Sequence, residues 1–167
     1  MHYIKGVLLT TLLLLAASCT TGEKAPPVDT AAEAKAVESV LKQYKDAIQN
    51  LTVEGTDTLF TKEAQVYESG GVEGTYGNYV AHHLGPELDH FNSFTFSDYK
   101  AEVAVNMPWA FTTETYVYTI DLKANPEKGR KAMVISRKGV ATSILKKIDG
   151  RWKIIKTHTS ARNAGKH

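Results

Sequence analysis

One long amphipathic helix, followed by four long β-type runs, is the pattern that most restricts what this chain can become. Val37, Val40, Leu41, Tyr44, Ile48 and Leu51 recur at three-and-four spacing and share one helical face. Lys35, Glu38, Lys42, Lys45 and Asp46 lie off that stripe, with Glu38 and Lys42 as an i,i+4 pair. Thr30-Ala31-Ala32-Glu33 fits a capping box that would open the helix. Farther on, the helical repeat gives way to strand-forming composition. Phe94 to Met107, Trp109 to Leu122, Met133 to Leu145 and Trp152 to Ser160 are rich in Thr, aromatic and β-branched residues. Asn125-Pro126-Glu127-Lys128-Gly129 and Asp149-Gly150 are hairpin turns between them. Helix first and strands afterwards predicts an α+β domain, a long N-terminal helix packed in a curved antiparallel sheet.

The stretch between helix and sheet is less regular. Glu54 to Thr61 reads as a short second helix, and Ala64 to Glu68 as a strand stopped by Ser69-Gly70-Gly71. Thr75 to Leu84 reads as helix ended by Gly85-Pro86. Pro86 also suits the first position of a further short helix through Phe91.

The front end speaks to location. A short basic start ending at Lys5 precedes an apolar run from Val7 to Leu15, broken by Thr10 and Thr11. Small residues then lead into the only cysteine, Cys19, the order of a processing signal. The run is about half of the ~20 residues a membrane-spanning helix needs. It resembles a bacterial lipobox, although Ala16 stands where a large aliphatic residue is usual. The expectation is a lipoprotein signal over 1–18, lipid carried by Cys19, and a flexible tether over 19–29. A domain over 30–162 and a tail over 163–167 complete the division. The alternative is an ordinary secretory signal cut after Ala17 or Ser18. Either places the domain in the bacterial cell envelope, outside the cytoplasm, with membrane lipid as a partner in the first case. A single cysteine excludes an intrachain disulfide and a Cys-based zinc site. Lys and Arg number 20 against 18 Asp and Glu, interspersed along the chain, so no nucleic-acid stripe exists.

Three pieces carry a family resemblance. They are the long opening helix; Val66-Tyr67-Glu68-Ser69-Gly70-Gly71 with Tyr79-Val80-Ala81-His82-His83-Leu84; and Asp149-Gly150-Arg151-Trp152-Lys153-Ile154-Ile155 with His158-Thr159-Ser160. Together they resemble the nuclear transport factor 2-like superfamily, also called SnoaL-like or ketosteroid-isomerase-like, over Thr30 to Arg162. The resemblance implies a cone with a pocket between the sheet's concave face and the helices. The superfamily includes isomerases, cyclases, dehydratases, hydrolases, ligand binders and dimerisation modules, so fold does not name the function. The Asp base and acidic donors of the isomerases have no match here.

Candidate pocket residues follow from faces. On its helix His83 shares a side with Tyr76, Tyr79 and Val80, while His82 points about 100° away. His158 follows Trp152 and Ile154 at even spacing, which puts it on their side of the last strand. Glu68 lies two residues after Val66. Glu68, His83 and His158 would suit a divalent metal such as zinc, or acid/base work on a small substrate. The competing reading is structural: a helix His hydrogen-bonded to a loop, His158 holding the last strand, Glu68 paired with a Lys. Tyr67 or Tyr79 would be the donor in an enzyme. Glu114, Tyr116 and Tyr118 share a strand face that would line a ligand cavity if inward, or form a dimer face if outward. The leading expectation is a membrane-anchored small-molecule binder using Glu68, Tyr79, His83, Glu114, Tyr116 and His158. An acid/base enzyme in the same pocket and a structural homodimer are the alternatives. No phosphate loop, dinucleotide fingerprint or nucleophile elbow appears.

Overall fold

The computed structural model describes residues 28–165. The signal, Cys19 and most of the tether lie outside those residues. Helix α1 spans Thr30–Gln49 and buries Val37, Val40, Leu41 and Ile48, the stripe that its periodicity marks. Its cap differs from the capping box. Asp29 accepts hydrogen bonds from the amides of Ala31 (3.1 Å) and Ala32 (3.0 Å). Glu33 is thereby free to reach across the fold. It accepts from Lys147 Nζ at 2.6 Å and Trp152 Nε1 at 2.8 Å, tying the start of α1 to the sheet.

The expected second helix is a single 3₁₀ turn, Thr56–Leu59, and strand β1 (Phe60–Glu68) starts immediately after it. β2 (Gly71–Thr75) returns along β1 through the turn at Ser69 and Gly70. Then α2 (Tyr76–Tyr79) runs into a π-helical turn (Val80–Leu84) and α3 (Gly85–Leu88). Gly85-Pro86 therefore continues the helical path instead of ending it. The Gly85 amide donates to the Val80 carbonyl, and Pro86 has no N–H to leave unpaired. A Cβ on Gly85 would lie 2.6 Å from that carbonyl oxygen, so the close approach requires glycine.

Four long strands follow: β3 (Phe91–Asn106), β4 (Trp109–Leu122), β5 (Met133–Ile148) and β6 (Arg151–Asn163). Asp149 and Gly150, with φ of 49° and 76°, make the tight turn that their sequence signals. The sheet order is β2-β1-β6-β5-β4-β3. All neighbours are antiparallel except β1 and β6, which run parallel, so the sheet is mixed. Closing the meander onto β1 brings the short N-terminal hairpin beside the last strand. Leu145, Ile154 and Val37 are the largest side chains shut completely away, and they hold α1 to the concave face. Each such aliphatic burial is worth roughly 1.5–3 kcal/mol.

Candidate functional site

A cavity of about 550 Å³ occupies the concave side, between α1, the α2–α3 segment and the sheet. Even-numbered positions of β4 face inward, so Tyr116, Tyr118, Ile120 and Leu122 all line it. On β5, Ile135 pairs in register with Ile120, and Arg137 with Tyr118, and both line the same wall. β3 adds Phe94 and Phe96. The Phe94 and Tyr118 rings stack at 5.4 Å, and Phe96 meets Tyr116 edge-on at 5.1 Å. The Tyr116 ring lies flat over Gly139, where a Cβ would come within 2.2 Å of its Cε2. Glycine at that position lets the ring settle onto the sheet. The wall is thus largely aromatic and aliphatic, as ligand pockets usually are.

Polar groups enter at defined points. At the end of β1, Glu68 lines the cavity and accepts a hydrogen bond from the Tyr79 hydroxyl at 2.6 Å. Burial pushes the Tyr79 hydroxyl far above its ordinary range, so it stays protonated and donates. Glu114 sits deeper, at a smaller void of about 60 Å³ beneath α1, where the Tyr99 hydroxyl donates to it. Burial raises the Glu114 carboxyl above the usual range, and the Tyr99 hydrogen bond opposes that rise. Tyr116 is likewise raised by burial.

His83 stands beside the cavity instead of lining it. Its Nδ1 is 3.0 Å from Glu73 Oε2 and its Nε2 is 3.5 Å from Glu87 Oε1. The Glu73 hydrogen bond, then the neighbouring carboxylates, raise the imidazole above its ordinary value against the opposing effect of partial burial. The histidine therefore links β2 to α3. His82 is exposed one position earlier.

His158 lies on the other face of the sheet. Between β5 and β6 the register slips: Leu145 pairs with Ile154, but Ile144 pairs with Lys156, leaving Ile155 as an extra residue. A one-residue bulge inverts the alternation. Trp152 and Ile154 point inward before it, Thr157 and Thr159 after it, and His158 is turned out to solvent. The zinc triad expected from Glu68, His83 and His158 is consequently not assembled. Among the described residues no three His, Cys, Asp or Glu side chains are placed to hold a metal ion. Neither His83 nor His158 lines the cavity. Tyr67, opposite His158 in register, also misses the cavity wall, and Lys156 sits over its ring at 5.9 Å.

Three cavity groups have no strong mark in the sequence. Arg130, at the end of the β4–β5 loop, and Arg137 both line the cavity, as does His90 at the end of α3. Arg130 sits in a turn sequence that suggests a solvated loop. Only the β4–β5 pairing, which sets Arg137 opposite Tyr118, would have shown that Arg137 faces inward.

A family model described as a SnoaL-like domain matches residues 37–163. A search of curated proteins finds no match. Among solved structures, a nuclear transport factor 2-like superfamily protein from Salmonella enterica serovar Typhimurium aligns with TM-score 0.67 at 15% identity, covering 82% of this chain and 94% of that one. A candidate ketosteroid isomerase from Shewanella frigidimarina aligns with TM-score 0.62 at 25% identity, over 75% of this chain and 94% of that one. A candidate scytalone dehydratase from Novosphingobium aromaticivorans aligns with TM-score 0.65 at 14% identity, over 83% and 91%. These likenesses cover most of each chain and describe one shared fold.

Proposed function

The chain belongs to the SnoaL-like family, and from that premise we propose that it is a membrane-anchored receptor for a small ring-containing molecule held in the cone. The observation that carries this reading is the 550 Å³ cavity with its aromatic wall. A volume of that size lies within the range of small-molecule sites, and its few polar groups sit at fixed points on an apolar surface. The Glu68–Tyr79 pair gives the ligand an acceptor carboxylate on one side of the mouth, oriented by the tyrosine hydroxyl. The lipid-anchor half of the proposal rests on the order of charged, apolar and small segments before Cys19.

The cavity half is tested with 2-naphthamide, an uncharged two-ring probe, titrated calorimetrically into the full chain. One site per chain is expected. Ile120→Trp, which fills the cavity from β4, is expected to weaken binding at least about tenfold because a packed interior leaves no room for the rings. An absence of binding, or equal binding by the filled variant, would overturn the reading. The anchor half is tested by Cys19→Ala in a bacterial host. The wild-type chain is expected in the membrane fraction and the variant outside it, and membrane retention of the variant would contradict the lipid anchor.

A further inference from the structure

We propose that the cavity selects a ligand with an anionic head, a carboxylate or a sulfonate on a ring-sized apolar body, with Arg130 and Arg137 holding the head. This rests on the cavity being a ligand site, and it specifies which class of ligand.

Arg130 supplies the first observation. Its Nε and Nη2 are buried and have no hydrogen-bond partner among the described residues. A buried cationic donor left unpaired is costly, and native structures rarely carry one without a purpose. Among the described residues neither Arg130 nor Arg137 forms an ion pair with a carboxylate. The second observation is that both arginines line the same cavity. Arg137 donates through Nη1 to Asn163 Oδ1, which fixes the guanidinium at the β5–β6 pair while leaving other donors. Two planar guanidinium forks suit a carboxylate or sulfonate, which can accept two parallel hydrogen bonds from each.

The cavity also contains Glu68 and Glu87, which would repel an anion. Their positions separate them from the arginines. Glu68 ends β1, with β6 between it and β5, a gap of about 10 Å at the usual strand spacing. It is occupied with Tyr79, and Glu87 of α3 is turned toward His83 in the preceding π-helical turn. The mouth is therefore polarised across the sheet, with carboxylates at the β1 and α3 side and guanidiniums at the β5 side. An amphipathic anion would lay its rings against Phe94, Tyr118 and Ile120 and turn its head toward β5. Glu68 would remain available to accept a hydrogen bond from a hydroxyl on the far end of the ligand.

The test compares 2-naphthoate with 2-naphthamide, which have the same rings and differ in charge, by calorimetry on the full chain near neutral pH. Naphthoate is expected to bind about tenfold or more tightly, the scale of charge-assisted hydrogen bonds. Arg130→Gln and Arg137→Gln are each expected to remove most of that preference, read as the ratio of naphthoate to naphthamide affinity within the same variant. Naphthamide binding also reports that each variant keeps a folded cavity. Arg130→Lys, which keeps the charge without the fork, is expected to recover part of the preference. Equal affinities for the two probes in the wild type, or a preference that survives both Gln variants, would overturn the inference while leaving the cavity reading intact. If naphthamide does not bind, the cavity reading falls and this inference with it.

Discussion

His83 shows how one side chain can look like a reactive group and serve as a strut. Its two nitrogens face Glu73 and Glu87, so the imidazolium form is favoured in the folded protein. A group whose folded pKa is raised stabilises fully below its unfolded value, about 6.5 for histidine. That contribution fades as pH rises through the folded value. The wild type is therefore expected to lose stability between about pH 6.5 and the pH where His83 deprotonates. His83→Gln should lack this component and be less stable than wild type at pH 6. Urea midpoints of both proteins from pH 6 to 8.5 check this, and parallel profiles would contradict it. Glu68 and Tyr79, by contrast, make a hydrogen bond that lies in the cavity wall itself.

At the scale of elements, α1 is held at its N-terminus by charge and along its length by burial. Glu33 accepts from Lys147 and Trp152, and these hydrogen bonds, Lys147 first, hold its carboxyl below the usual range. A lowered carboxylate stabilises above its unfolded pKa, and the benefit disappears as pH falls through the folded value. Glu33→Gln is expected to be less stable than wild type at pH 7. It should converge with wild type only in acid, once pH has fallen through the lowered folded value of Glu33, itself under the ordinary glutamate value of about 4.3. Thermal melts at neutral and acid pH check the convergence; a constant gap would contradict it. Elements with a long repeat were legible in the sequence: the α1 stripe, the four long strands and the Asp149-Gly150 turn all follow from side-chain period and turn chemistry. β2 was not, because Gly71-Val72-Glu73-Gly74-Thr75 is short and contains two glycines with no apolar alternation. The bulge at Ile155 was not, because an extra residue depends on the register with β5 and has no local signature. That single residue reverses the face of His158.

The described residues form a cone whose wall is one sheet, with α1 and the α2–α3 segment enclosing a cavity against it. Glu68, Tyr79 and Tyr116 line the cavity; periodicity puts Tyr116 on one strand face with Glu114 and Tyr118, and only the packed sheet shows which way that face looks. Arg130 and Arg137 were not legible in the sequence, since a loop residue and an alternating basic residue resemble ordinary solvated charges until the strands are paired. The fold also separates two apolar surfaces. Ile120 of β4 and Ile135 of β5 face the cavity, whereas Val134 and Val140 are exposed on the outer face of β5. The most direct measurement of the central claim is a methyl-resolved NMR titration of the full chain with 2-naphthamide. The Ile120 and Ile135 methyl signals should move together and saturate, while those of Val134 and Val140 stay in place. Shifts confined to Val134 and Val140, or no saturable shift at Ile120 and Ile135, would contradict a ligand site inside the cone.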